Sequence, residues 1–527
     1  MSPLSKLAVK YQFIDRPDAR KVHTGDIPRI GGVAMVLGTI IPILMWVEMD
    51  REIVALLIGL VIIFIFGLWD DRKNLGYRTK FFGQILAVLV VIMYGDIQIV
   101  RLPFFSDYIV PQYVSFFITF FVLLGVTNAI NLADGLDGLA GGITLLSFGV
   151  IVILSYLAGG ISIEIIAVAI MGSIFGFLRF NTYPARVFMG DGGSQFLGFS
   201  VGVLAIILTQ KVNMAISPAL PLLIVGLPLI DTVMVMSQRI YEGNSPFKPD
   251  SNHIHHKLLT RGFDHYESVI IIYLLQAILI LSAYFFRYQS DAVVIGLFMV
   301  FFVALFVFIY WTKKIEWKFH KAKDDRELHL VTRYINWITH ETHLSKWVYQ
   351  LSIAAILSYI ALGVMEATNV STDIGVLATA LVLVLLYYLV THFNKPLMFV
   401  ERACVYVACT IIVYLVQTTE YSEKWPDVFL LLYLVIVGTG VVVGVWYSKH
   451  KRLEVTPLDF LVVFIACTVP NLPSLKAMQA HLGFSIAILI VTYYALEMII
   501  NSESVRNNFI RYTLLLSMGL FAFRGLV

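Results

Sequence analysis

Apolar residues fall along this chain in unbroken runs rather than in alternation. Runs of about 17–20 residues, each long enough to cross roughly 30 Å of hydrocarbon as a helix, cover residues 31–48, 52–69, 81–95, 113–130, 139–158, 161–179, 194–210, 217–236, 268–286 and 292–312. After a charged stretch, further runs occupy 347–365, 374–392, 401–417, 427–447, 456–471, 481–500 and 508–525. The pattern predicts an all-α, polytopic membrane protein of about 17 transmembrane helices. Continuous apolar segments exclude a β-barrel, whose strands alternate.

Composition agrees. Of 527 residues, 59% are hydrophobic and 14% charged, with mean hydropathy +0.83, whereas soluble domains carry roughly 25% charge. Cys404, Cys409 and Cys467 all lie in apolar runs without a CxxC pair and read as small buried hydrophobes. The first 30 residues are polar and basic without an apolar core, so no signal peptide is expected. The net charge of +3 says little; its distribution says more. With the N-terminus in the cytoplasm, about 31 of the 38 Lys and Arg residues fall in inside loops, as the positive-inside rule requires.

The same parity puts every chemically suggestive motif on the inner face: "HTGDIPRIGG", "WDDRKN", "NLADGLDG", "FNTYPARVFMGDGGS" and "SNHIHHKLL". Five separated motifs on one face describe one site. In "LLGVTNAINLADGLDGLAGG", Asn128, Asn131, Asp134 and Asp137 follow one another at three-residue steps, so neighbours share a helix face. Gly135 and Gly138 weaken the helix there, predicting a helix end that opens into a pocket. Asp70 and Asp71 are adjacent carboxylates, tolerable with a cation or proton between them; Arg72 and Lys73 could supply that charge in a solvated turn. In "FMGDGGS", glycines flank Asp191 ahead of a helix expected near Ser194. Such a loop is either a tight turn capped by Asp or a cradle for phosphate, with a carboxylate suited to Mg²⁺. His253, His255 and His256 could bind zinc, but no Cys is near, and cationic contacts to a diphosphate fit better. Lys21, His23, Arg29 and Arg239 are further candidate anion contacts or positive-inside anchors. Together the residues suggest magnesium-dependent diphosphate chemistry with a lipid partner.

In this order, "RKVHTGDIPRIGG", "WDDRKNL", "NAINLADGLDGLAGG", "NTYPARVFMGDGGSQFLG" and "GNSPFKPDSNHIHHKLLTRGF" resemble the polyprenyl-phosphate N-acetylhexosamine-1-phosphate transferases. The likeness covers about residues 4–312. The HIHH form resembles the bacterial branch that uses UDP-GlcNAc for O-antigen, common-antigen or teichoic-acid linkage units. The resemblance implies that undecaprenyl phosphate attacks the β-phosphorus of a UDP-N-acetylhexosamine, releasing UMP, at the cytoplasmic face of a bacterial inner membrane. It implies Asp191 and Asn131 as ligands of Mg²⁺ (or Mn²⁺), with Asp70 and Asp71 near the carrier phosphate and Asp134 at the reaction centre. Gly135, Leu136, Asp137 and Phe188 would form the uracil pocket, with Asn128 also on the nucleotide. Arg239, His253, His255 and His256 would hold diphosphate and sugar. No nucleic-acid partner is expected, and a homodimer is left open.

Two features depart from the family. Its members carry a membrane helix before the "RKVH" segment, whereas this chain starts at Met1 just upstream. Beyond the transferase domain, 1–312, lie a charged segment, 313–346, readable as an interfacial helix or a solvated linker, and a seven-helix region, 347–527, expected to be accessory. A transporter would need polar groups reachable from both faces, whereas this cluster is one-sided. A membrane prenyltransferase would lack MGDGGS and HIHH. An inactive scaffold would not need Asp70, Asp71, Asp134, Asp191 and the histidines all present.

Overall fold

The computed structural model describes residues 27–315 except 74 and 246–251, and isolated positions between 8 and 15. In the C-terminal half it describes 344–392 except 368, 397, 399–418, 431–440, 457–468, 472, 482–500 and 504–527. Lys21, His23 and most of the charged 313–346 segment lie outside the described residues. The chain divides into two compact units, residues 1–323 with 456–461, and residues 324–455 with 462–527.

The first unit is helical: α1 (Gly31–Trp46), α2 (Arg51–Lys73), α3 (Tyr77–Leu89), α4 (Gln112–Ala133), α5 (Leu139–Ala158) and α6 (Ile161–Asn181). After these come α7 (Gly190–Ile207), α8 (Pro221–Ile224), α9 (Gly226–Tyr241), α10 (Ile254–Thr260), α11 (His265–Phe285) and α12 (Asp291–Lys314). Two short antiparallel pairings, Ile14–Asp15 with Ile27–Pro28 and Arg101–Leu102 with Phe105–Ile109, are its described strands. Among the described residues of the whole chain, eight helices are long and apolar enough to cross a membrane. The protein is an all-α, multi-pass membrane protein.

The centre of the first unit is α7, which is buried from Gly192 on and continues into a π-helical extension, Leu208–Val212, buried as far as Gln210. Its small residues let neighbouring backbones come close, the usual device where helices must associate in lipid. A Cβ at Gly67 of α2 would overlap the Cα of Gly192, and one at Gly193 would lie 3.0 Å from the Cα of Gly32 on α1. On the α4 side, a Cβ at Gly198 would lie 2.9 Å from the backbone of Thr127. Helices α1, α2 and α4 therefore converge on the N-terminal half of α7.

Three elements differ from the apolar pattern. The 81–95 run continues α3 through a π turn, Val90–Tyr94. The 217–236 run is broken at Val225 into α8 and α9. The helix expected near Ser194 starts four residues earlier, at Gly190, for a reason that lies in the site.

In the second unit, α13 (Leu344–Glu366), α14 (Thr372–Thr391), α15 (Phe399–Thr418) and α16 (Leu431–Gly440) share a core with α17 (Leu482–Ile500) and α18 (Ser504–Leu526). Inside it, fully buried Arg511 donates from Nε to Glu401 at 2.7 Å and from its second guanidinium arm at 3.1 Å. Cys404 and Cys409 are buried free thiols.

Candidate active site

Asp70 and Asp71 end α2 and are buried. Successive helical residues point about 100° apart, so the two carboxylates serve different partners. Asp71 accepts from the backbone N–H of Asp191 at 2.8 Å and of Gly192 at 3.1 Å. It thus caps α7 from another helix, filling donors that a helix N-terminus leaves unpaired. That cap explains why the glycine-rich segment is already helical at Gly190. Gly190 itself has φ +72, and a Cβ there would meet the Asp71 carboxylate at 2.5 Å; only glycine satisfies both demands.

Asp70 accepts from Leu75 N–H at 2.5 Å and from the Lys80 ammonium at 2.6 Å. Lys80 reaches on to the Asp191 carboxylate, so one ammonium bridges Asp70 and Asp191. On the other side, Ser194 donates to Asn131 Oδ1 at 2.5 Å, which brings Asn131 to the first turns of α7. Asp70, Asp191 and Asn131 present oxygen donors only, and a cationic group already stands between the two carboxylates. That donor set fits a hard cation. Among the described residues no three His, Cys, Asp or Glu side chains form a complete cage, and Mg²⁺ is typically held by one or two carboxylates plus phosphate oxygens.

Between α4 and α5 the chain breaks at Asp134–Gly138, as the glycines predict. Gly138 is left-handed (φ +81), donates to Asn181 Oδ1 at 2.9 Å and accepts from the Tyr273 hydroxyl at 2.7 Å. Asn181 in turn donates to Val187 O at 2.9 Å, while Asp137 accepts from Ala185 N–H at 2.9 Å. The break and the 182–188 loop are thereby tied together. Half-buried Phe188 is docked through its backbone, donating to Pro28 O at 2.8 Å and accepting from Gly31 N–H at 2.9 Å. Leu136 is buried, and Gly135 lies so close under His255 that a Cβ would overlap the imidazole.

Asp134 follows the last residue of α4 and is exposed. Desolvation by the surrounding protein, then the charges of Asp191, Asp71 and Asp137, push its pKa up to about 7, against the pull of Arg29. Arg29 is held by Asp15 at 2.6 Å. Half-buried Asn128 donates its amide to Gln84 and to Leu124 O, each at 2.8 Å, and Gln84 donates to Gln195 at 3.0 Å. This carboxamide net, buried at Gln84 and Gln195, ties α3, α4 and α7 together.

Residues 53–209 match the profile of Glycosyl transferase family 4. The chain is 32% identical over 306 residues to the "probable undecaprenyl-phosphate N-acetylglucosaminyl 1-phosphate transferase" of Bacillus subtilis strain 168, covering 58% of this chain and 85% of that protein. The chain belongs to this family. It is also 30% identical over 320 residues to the Escherichia coli K12 undecaprenyl-phosphate alpha-N-acetylglucosaminyl 1-phosphate transferase, covering 59% and 87% of the two. The Yersinia pestis protein of that name is 30% identical over 280 residues, covering 52% and 77%.

In this glycosyl transferase the histidine segment lies beyond the profile match. Buried His253 pairs through Nδ1 with Asp231 at 2.8 Å. The His255 ring lies parallel to it with centroids 5.7 Å apart, and His256 is 4.3 Å from His255. Burial, with His256 beside it, pushes the His255 pKa down to about 3. His255 packs on Gly135, and its surroundings favour the neutral ring. Arg239 is buried at the end of α9.

Sequence reasoning missed Lys80, Ser194, Asn181 and Asp231. Asp231 was findable, as a lone carboxylate inside the apolar 217–236 run, where an ionisable group marks function by default. Lys80 carried no such signal, since a lysine before a membrane helix reads as an anchor.

Proposed function

We propose that the protein transfers N-acetylglucosamine-1-phosphate from UDP-N-acetylglucosamine to undecaprenyl phosphate, releasing UMP, as the first membrane step of a cell-surface polysaccharide. The observation that carries the reading is the Lys80 bridge between Asp70 and Asp191, beside Asn131 and Asp134, in a chain whose relatives bear that activity in their names. One oxygen of the carrier phosphate forms a bond to the β-phosphorus. The bond from that phosphorus to the UMP oxygen breaks, and UMP leaves with the electron pair. A phosphate monoester has its second pKa near 6, so the nucleophile is already largely a dianion. Positioning and charge neutralisation then dominate, as in phosphoryl transfer generally.

In this reading Lys80 meets the incoming phosphate, Asp70 orients it, and Asp71 acts by holding the first turn of α7. Asp191 and Asn131 would hold Mg²⁺, which when bound supplies charge neutralisation at the diphosphate. Phe188 stacks on the uracil, with Gly135, Leu136 and Asp137 around it. Arg239, His253 and His256 hold the diphosphate and sugar, and His255 packs beneath them. The reading includes about 17 transmembrane helices, a cytoplasmic N-terminus, a site on the cytoplasmic face of the bacterial inner membrane, and a transferase domain at 1–312 with an accessory region at 347–527.

The test is to incubate purified protein with undecaprenyl phosphate, Mg²⁺ and radiolabelled UDP-N-acetylglucosamine, following UMP release and label entering the lipid phase. Lipid-linked label that disappears with EDTA and in Asp191→Asn supports the reading. No turnover with any UDP-N-acetylhexosamine, in folded protein, sinks it.

A further inference from the structure

We infer that Asp231 is a positioning residue of the sugar-nucleotide subsite, acting through His253. This rests on the proposed transferase reading, in which His253 touches the diphosphate or sugar.

The geometry is specific. Asp231 is buried in α9, at 7% exposure, and both its oxygens are used. Oδ2 lies 2.8 Å from His253 Nδ1, and Oδ1 accepts from Ile254 N–H at 2.8 Å. His253 is the residue that begins α10, with extended backbone (φ −64, ψ 157) and no cap from its own side chain. Asp231 thus supplies from another helix what a local cap would supply, and grips the ring of the capping residue at the same time.

An ionised carboxylate only accepts hydrogen bonds, so the hydrogen of this pair sits on Nδ1. Nε2 is left as the polar atom that His253 can offer to a ligand. Carboxylates fix imidazoles in this way wherever the outer nitrogen has work to do. The effect extends past one ring. His255 lies parallel to His253, within 6°, and rests on Gly135 at the break that holds Asp134 and Asp137. Asp231 therefore sets the plane of His253, and His255 lies parallel to it against that break. A buried carboxylate on an apolar helix is expensive, and the hydrogen-bond partners of this one among the described residues, His253 and Ile254, both lie at the start of α10.

The test compares Asp231→Asn, Asp231→Glu, His253→Gln and the double variant Asp231→Asn/His253→Gln in full-length protein, with steady-state kinetics for both substrates. Asparagine keeps an oxygen for Ile254 N–H but turns a donor toward Nδ1, so the ring must adopt the other tautomer. We expect Asp231→Asn to raise KM for UDP-N-acetylglucosamine about 10- to 100-fold, the range for loss of an imidazole's supporting partner. KM for undecaprenyl phosphate should stay unchanged, and Asp231→Glu should recover part of the loss. In the His253→Gln background, Asp231→Asn should cost nothing further, because residues acting as a unit are not additive.

Histidine ¹⁵N resonances of the wild type supply a readout that survives a variant's failure to fold: His253 should carry its proton on Nδ1. A bare Nδ1 in the wild type, multiplicative losses in the double variant, or an unchanged KM in Asp231→Asn or His253→Gln each overturns the inference. Failure of the wild type to turn over would instead count against the transferase reading, and the tautomer measurement would still decide the pairing.

Discussion

Lys80 holds together two carboxylates that would otherwise repel each other. Like charges sharing a site disfavour ionisation of both, and an ammonium between them removes that conflict until a phosphate arrives. Replacing Lys80 by Met should therefore lower kcat by about 100- to 1,000-fold, the scale seen when one donor aimed at a reacting oxyanion is lost. Arginine should rescue only partly, because a planar fork does not reproduce a point charge bridging Asp70 and Asp191. Lipid-linked label per unit time in the two variants checks both statements. A second consequence at this scale is pH dependence of stability. His255 has its pKa depressed from 6.5 to about 3 by burial, so between those values the unfolded chain binds the extra proton. The contribution is fully present above about pH 6.5 and is lost as pH falls toward 3. The unfolding midpoint should drop from about pH 7 to about pH 5, and by less in His255→Gln, which has no proton to take up. Equal drops in both proteins would refute this.

At the scale of elements, the site depends on how closely α2 and α7 approach. Gly67 and Gly192 meet backbone to backbone, and that contact fixes where Asp71 caps α7 and where Asp191 emerges. In Gly67→Ala the helices must separate. Overpacking of this kind costs about 1–3 kcal/mol, and a shift of about 1 Å at a reacting group can cost about 100-fold in rate. Turnover should therefore fall much further than the unfolding midpoint, which thermal unfolding alongside the label assay would reveal. The same contact shows what was legible beforehand. The apolar runs announced the helices, and the Asn/Asp/Gly spacing announced the break at Asp134–Gly138, because periodicity and glycine content are local properties. The early start of α7 was illegible, since its cap comes from Asp71, 120 residues away. The partner of Asn128 was illegible for the same reason: Gln84, which accepts from its amide, lies on another helix.

At the scale of the molecule, every residue assigned to the site belongs to the first unit, while the second unit holds a charge pair of its own. Glu401 and Arg511 are both wholly buried, and Arg511 also donates to His392 O at 3.2 Å. A pair so placed ties α15 to α18 and to the end of α14, and removing one partner leaves the other uncompensated, at about 3–5 kcal/mol. Replacing both by apolar residues of similar size is far less damaging, because desolvation of the two charges is no longer required. Arg511→Ala should consequently loosen the second unit, exposing the buried thiols of Cys404 and Cys409, whereas Glu401→Leu/Arg511→Met should leave them protected. Site-resolved maleimide labelling in full-length protein measures this directly. If the second unit is accessory to the chemistry, kcat and KM for UDP-N-acetylglucosamine will be the same in wild type, single and double variants while the labelling rates differ. Turnover that falls in step with thiol exposure would mean that the transfer reaction depends on the C-terminal helices.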